Sequence, residues 1–344
     1  MLLIGLLVLL AICACLVIAQ LLGPGELSEI VPTLPAATAE SSESFVAATP
    51  TVQPEATSSP FVVEQSTSSE GQTWLVMLYQ DADDKILEQD IYLDLNEAER
   101  VGSSDRMHIV AQMDRYRGGY QGDGDWSSTK RFYVTQDEDL QRVRSQQVAD
   151  LGEVNMSDGA ALVDFVSWAV ETFPADRHVL ILSDHGMGWP GGWTDPAPGG
   201  RGESSIPLAA RLGDQLYLME LDEALEEIRA QTGMEAFELI GLDACLMGHL
   251  EVFSTLAAHA RYAVASQETE PALGWAYTGF LEALKMNPDI DGAGLGQLIV
   301  ESYIQGDQRI VDDEARAELL SRGSPMGGLF GLLGSVSAEQ VADQ

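Results

Sequence analysis

Two loops hold the residues best suited to chemistry. Ser183-Asp184-His185-Gly186-Met187-Gly188-Trp189 follows the apolar run His178–Leu182, and Asp243-Ala244-Cys245-Leu246-Met247-Gly248 follows Phe237–Leu242. Of the three cysteines, Cys13 and Cys15 lie in an apolar N-terminal run, which leaves Cys245 alone in the rest of the chain. A single thiol in a region that also supplies an imidazole is a nucleophile and base by type, the thiolate attacking while the imidazole takes and returns a proton. The competing reading is a buried, inert cysteine, the ordinary fate of the residue. A helix opening at Cys245 would favour the thiolate through its macrodipole and unpaired N–H groups. The backbone N–H groups of Gly186 and Cys245 are the candidates for holding an oxyanion, since glycine lets a substrate carbonyl approach the chain.

Other side chains nearby have a plainer reading beside the chemical one. Asp243 would cap the helix opened by Cys245. Asp184 next to His185 reads as loop capping. His249, four residues after Cys245, falls on the same helical face, so Cys245, His249, His185 and Asp243 are zinc ligands by type. Such a pair on one helical turn arises often by chance. His108, His178 and His259 sit in strand or helix-end patterns and read as structural. Asp81-Ala82-Asp83-Asp84, Asp123-Gly124-Asp125 and Asp289-Ile290-Asp291-Gly292 complete no EF-hand loop and read as solvated surface charge.

The elements that must position these loops follow from periodicity. Thr73–Tyr79, Met107–Met113, His178–Leu182 and Phe237–Leu242 are short β-rich apolar runs, the pattern of strands buried on both faces. Arg131–Thr135 and the stretch from Val143 onward form an edge hairpin, and Arg261–Ser266 is the last clear strand. Helical spacing covers Ile86–Arg100, a run from the Ser157-Asp158 cap to Phe173, and Glu220–Ala230, followed by Gly279–Lys285 and Leu295–Ile304. This alternation predicts an α/β fold with a largely parallel central sheet covered by helices on both sides. Ligand sites in such sheets lie beyond the carboxyl ends of the strands, where both loops begin.

Composition bounds the remainder. The 344 residues include 18 Lys and Arg against 54 Asp and Glu, a net charge of −36. Nucleic-acid phosphates would repel such a chain, which excludes general DNA or RNA binding. Residues 1–22 carry no charge and read as a signal peptide or membrane anchor, with a weak lipoprotein-like box at Cys15. Residues 23–72 shift to Pro, Ser, Thr, Ala and Glu and read as a disordered linker. The folded domain spans 73–310, and the Gly-rich tail 311–344 is unassigned. The expected location is the outer face of the cell envelope, tethered through the N-terminal segment, or outside the cell.

Taken in order, Ser-Asp-His-Gly-Met-Gly-Trp at 183–189, Leu-Asp-Ala-Cys-Leu-Met-Gly at 242–248, and Ala-Ser-Gln-Glu-Thr-Glu-Pro at 265–271 with Gly274-Trp275 resemble the clostripain family of cysteine peptidases. The resemblance covers about Thr73 to Gln305. It implies a caspase-like α/β/α sandwich and a dyad of His185 and Cys245 that cleaves polypeptides after Arg or Lys through an acyl-enzyme. It also implies that Asp243 pairs with the basic P1 side chain and that Glu268, Glu270 and Trp275 line the substrate cleft. Self-cleavage between His185 and Cys245 occurs in some relatives, and Arg201, with Arg211 second, is the candidate position. Calcium enters by resemblance alone, and no metal ligand is assigned. The alternative function is an inactive, membrane-tethered binding module with the same fold.

Overall fold

A computed structural model of the chain describes residues 71–195, 215–270 and 273–304. The N-terminal run 1–22, the linker to residue 70, Arg201, Arg211 and the tail 311–344 lie outside the described residues.

Nine strands are described: β1 Trp74–Ala82, β2 Met107–Arg115, β3 Thr129–Tyr133, β4 Gln146–Gly152, β5 Arg177–Ser183, β6 Gly191–Thr194, β7 Gln215–Tyr217, β8 Phe237–Asp243 and β9 Ala260–Ala265. The α-helices are α1 Glu88–Val101, α2 Gly159–Thr172, α3 Leu218–Thr232, α4 Leu250–Leu256, α5 Tyr277–Met286 and α6 Gly292–Ile304. Seven strands form one sheet in the order β4-β3-β2-β1-β5-β8-β9. The neighbours from β2 through β9 pair in parallel, and β3 and β4 add the antiparallel edge that the Arg131–Thr135 hairpin predicts.

The alternation of side chains along β1 divides the core into two layers. Leu75, Met77 and Tyr79 pack with Phe165 of α2 and Leu225 of α3, while Trp74, Val76 and Leu78 pack with Leu95 of α1, Phe280 of α5 and Leu295 of α6. A sheet covered on both faces explains why the parallel strands read as continuous apolar runs rather than as alternating ones. Each fully buried Leu or Phe contributes on the order of 2 kcal/mol. The Asp158 side chain caps α2 by accepting from the Ala160 N–H, as its sequence predicts. Gln72, placed in the linker by composition, instead belongs to the domain: its side-chain amide donates to the Pro288 and Ile290 carbonyls.

The chain runs from β1 outward to β2, then returns to place β5 on the other side of β1, with β8 and β9 beyond it. The crevice between β1 and β5 at their carboxyl ends is therefore the topological switch point, where open α/β sheets bind ligands. One element is absent from the sequence reading. The stretch after Trp189, to which the periodicity assigns no element, contains β6, which pairs antiparallel with β7 just before α3.

Candidate active site

Register brings the two predicted loops together. Ser183, the last residue of β5, pairs with Asp243, the last of β8, so His185 and Cys245 each lie two residues beyond a matched pair on adjacent parallel strands. Backbone contact continues past the strands. A Cβ on Gly186 would lie 2.1 Å from the Cys245 carbonyl oxygen and 2.9 Å from Met247 Cγ, so the His185 loop lies against the Cys245 loop and tolerates only glycine there.

Two neighbours fix the His185 loop. Trp193 of β6 donates its N–H to the His185 carbonyl at 2.9 Å, and the Thr194 N–H donates to Asp184 Oδ2 at 2.6 Å. Asp184 is buried, and this burial pushes its carboxyl up to about 7 against the opposing effect of the His185 charge. Asp184 thus pins β6, in keeping with its reading as a capping residue. On the imidazole side, Nε2 lies 3.4 Å from Asp84 Oδ1. Burial acts against the charged ring, but the Asp84 hydrogen bond and the charges of Asp184 and Asp84 hold His185 above its ordinary value. Asp84 is itself held in place, its Oδ1 accepting from the Ile86 and Leu87 N–H groups at 2.7 and 2.9 Å. Despite burial, the contact with His185 keeps the Asp84 carboxyl below its usual range.

The helix expected at Cys245 is not there. Residues 244–249 form a turn, and α4 begins only at Leu250 with His249 at its N-cap. Leu246 adopts φ +63, a left-handed conformation that breaks any helix at this point. Backbone bonds to the stretch after β9 hold the turn, from Leu246 N–H to the Glu268 carbonyl at 2.9 Å and from Gly248 N–H to the Ser266 carbonyl. Cys245 therefore has no helix macrodipole, and Asp243 caps no helix there. Burial pushes the thiol up, aided by the Glu270 and Asp243 charges, while the Glu270 N–H, 3.3 Å from Sγ, acts in the opposite direction. No hydrogen bond joins His185 to Cys245 among the described residues. His249 is exposed against Gly188, so the predicted shared helical face with Cys245 is also absent.

The remaining predicted residues occupy different depths. Asp243 is 5% exposed, its Oδ2 accepting from the Tyr277 hydroxyl at 2.8 Å and the Trp275 N–H at 3.2 Å. Trp275 is buried, its ring against Gly241 of β8, and its Nε1 donates to Glu270 Oε1 at 3.1 Å. Glu268 has an exposed side chain and is joined to the Cys245 turn through its carbonyl. Sequence reasoning missed Asp94 of α1: a Cβ on Gly274 would lie 3.0 Å from Asp94 Oδ2 and 3.0 Å from Asp243 Oδ2, so two buried carboxylates converge at that glycine.

The Asp81 to Asp84 cluster is not surface. Asp81 and Asp83 are buried, and Asp83, Asp114 and Asp195 present carboxylate oxygens within 4.8 Å of one another. Burial first, then neighbouring carboxylates, push Asp83 and Asp114 each up to about 8.

The sequence model of the clostripain family matches residues 78–315. Clostripain of Hathewaya histolytica is 26% identical to the chain, the match covering 56% of the chain and 37% of clostripain. Among solved structures, the fold resembles a secreted C11 cysteine protease of Bacteroides thetaiotaomicron in complex with an irreversible peptide inhibitor, with TM-score 0.51 and 23% identity over 68% of this chain and 59% of that one. The chain thus spans little more than a third of its curated relative and about three fifths of the solved one. The family match takes in the strands that carry both loops and the turn that carries the thiol, and the chain belongs to the clostripain family of cysteine peptidases.

Proposed function

We propose that this chain is an endopeptidase that cleaves after Arg or Lys through a Cys245 acyl-enzyme. The observation that carries the reading is the matched exit of His185 and Cys245 from β5 and β8, with Gly186 lying against the Cys245 backbone. With the thiol pushed up, the resting sulfur holds its proton, and His185 in its neutral form acts as a general base when substrate arrives. Sulfur attacks the scissile carbonyl, His185 takes the thiol proton and delivers it to the leaving amine, and water then releases the acyl group by the reverse transfer. The Gly186 and Cys245 N–H groups hold the oxyanion. Asp84 orients the ring and favours the imidazolium that forms between the two transfers.

Selection of a basic P1 side chain falls to Asp243, with Asp94 beside it. Gly274, at φ +59, leaves both carboxylates uncovered by a side chain of its own, and a guanidinium approaching there would meet them in succession. Glu270 borders this region through its bond to Trp275, and Glu268 would contact substrate from the exposed side. The decisive experiment compares fluorogenic peptides ending in Arg, Lys or a neutral residue, with the Cys245→Ala variant as control. Cleavage after Arg or Lys that is lost in the variant supports the reading. No turnover under reducing conditions supports the inactive binding module.

Self-processing at Arg201, with Arg211 second, belongs to the same proposal. Thr194 pairs with Gln215, so the two ends of the 196–214 segment are held side by side and a cut within it would leave both anchored. An intact mass that shows no cut at either arginine in an active preparation would overturn it. The uncharged 1–22 run supports export and a tether on the outer face of the envelope. Among the described residues no helix is long and apolar enough to cross a membrane.

A further inference from the structure

Trp189 closes the loop that carries His185 and serves neither the dyad, nor the oxyanion groups, nor the P1 region. Its side chain is 67% exposed, and Met219 at 74% and Leu250 at 79% are exposed like it. Backbone contacts bring the three together. Gly191, at φ +123, lies against the junction of β7 and α3, where the Leu218 N–H donates to the Pro190 carbonyl at 3.2 Å. On the other flank, a Cβ on Gly188 would lie 3.2 Å from both the Leu246 carbonyl oxygen and the His249 ring. Trp189 thus stands on a turn wedged between the residue before Met219 and the residue before Leu250. The turn is braced from within. The Met187 N–H donates to the Gly191 carbonyl and the Gly191 N–H to the Gly188 carbonyl, both at 2.9 Å, and Gly186 bridges to Gly192. A lone exposed apolar side chain is ordinary, but three gathered on one braced platform beside a catalytic group mark a recognition surface, the more so in a chain of net charge −36.

The sheet decides which part of a substrate reaches this surface. Trp275 and Tyr277, which bind Asp243, belong to the layer of α1 and α5. Leu216 beside Gly191, and Ala244 and Met247 beside Gly186, belong to the layer of α2 and α3. A peptide with its P1 side chain at Asp243 and its scissile carbonyl at Cys245 therefore crosses the sheet edge from one layer to the other. The leaving amine, which His185 protonates, departs toward the Met187–Gly191 turn. We propose, building on the peptidase reading above, that Trp189, with Met219 and Leu250, forms an apolar subsite for the two residues after the scissile bond and selects an aromatic or large aliphatic side chain there. An indole offers a broad face with few rotamers to lose on binding, and a fixed turn presents it without the cost of ordering a loop. The substrate class narrows to polypeptides in which an apolar residue closely follows the basic one.

The test uses the full-length chain and internally quenched peptides that are identical through a P1 Arg and continue as Gly-Gly, Phe-Gly or Gly-Phe. Expected is a kcat/KM for at least one Phe peptide about tenfold above that of the Gly-Gly peptide. Trp189→Ala should bring this ratio to about two or less, and Trp189→Phe should keep most of it, a pattern that a merely structural tryptophan would not give. Equal kcat/KM for the three peptides in the parent, or a parent-like ratio in Trp189→Ala, overturns the subsite while the peptidase reading stands. A change in Trp189→Ala shared equally by all three peptides assigns the ring a structural role or another occupant and overturns the subsite as well. No cleavage of any peptide under reducing conditions overturns the peptidase reading, and the subsite falls with it.

Discussion

Asp84 has two duties, and a single substitution separates them. Its Oδ1 accepts from the N–H groups of Ile86 and Leu87 and also faces His185 Nε2. Asparagine keeps an acceptor for the loop but removes the negative charge. In Asp84→Asn the burial that disfavours the imidazolium would act with less opposition, so His185 should titrate lower. The acid limb of kcat/KM, set by deprotonation of the base, should then move to lower pH, and kcat should fall roughly ten- to hundredfold. A merely structural Asp84 would leave that limb in place, so a pH profile of the variant decides the matter. Gly186 makes a different kind of demand. Gly186→Ala places a methyl group 2.1 Å from the Cys245 carbonyl oxygen, which forces the two loops apart. Activity should drop by at least about tenfold and the melting temperature should fall with it, since the methyl group also meets Met247 and Ala244 of the core. Activity close to that of the parent would show that the oxyanion groups lie elsewhere.

At the scale of elements, α1 contains a pH-sensitive joint. Glu99 is buried, and its Oε1 accepts N–H groups from Arg144 and Ser145 in the stretch before β4. Burial outweighs these bonds and pushes its carboxyl up to about 7. An unfolded Glu titrates near ~4.3, so between these values the folded chain retains a proton that the unfolded chain has released. Stability from this group is complete below the unfolded value and is lost as pH rises through about 7. Glu99→Gln fixes the neutral form. The variant should melt with the parent at about pH 4 and above it at about pH 8, by on the order of 2 kcal/mol, and an equal offset at both would refute the assignment. The same scale shows what a reader of the sequence can and cannot see. β1, β2, β5 and β8 were legible because burial on both faces leaves apolar runs in the sequence, and the exits of His185 and Cys245 followed from them. The turn at Cys245 was not, because it depends on Leu246 at φ +63 and on bonds to residues after β9, neither of which has a periodic signature. β6 and β7 are short, and the pairing of Gly191 with Tyr217 is set by residues far apart in the chain. The buried aspartates left one overlooked signal: the period-2 rhythm of Met77 and Tyr79 continues to Asp81, placing that carboxylate on a covered face.

Charge acts on the molecule as a whole. A chain of 344 residues with net charge −36 carries a strong negative field, and the proposed P1 region adds Asp243 and Asp94 as buried carboxylates. The two contributions respond differently to salt. The field that draws a basic peptide inward is screened over about 8 Å at physiological ionic strength, whereas a guanidinium seated against buried carboxylates is largely shielded from added ions. Raising salt from about 0.05 M to about 0.5 M should therefore lower kcat/KM for a peptide with several basic residues by several-fold, chiefly through slower association, and leave kcat almost unchanged. A peptide with one P1 arginine and compensating acidic residues elsewhere should lose little. If both peptides lose kcat/KM equally, the salt acts on the P1 contact itself. The pocket would then have to be more open to solvent than the 5% exposure of Asp243 allows.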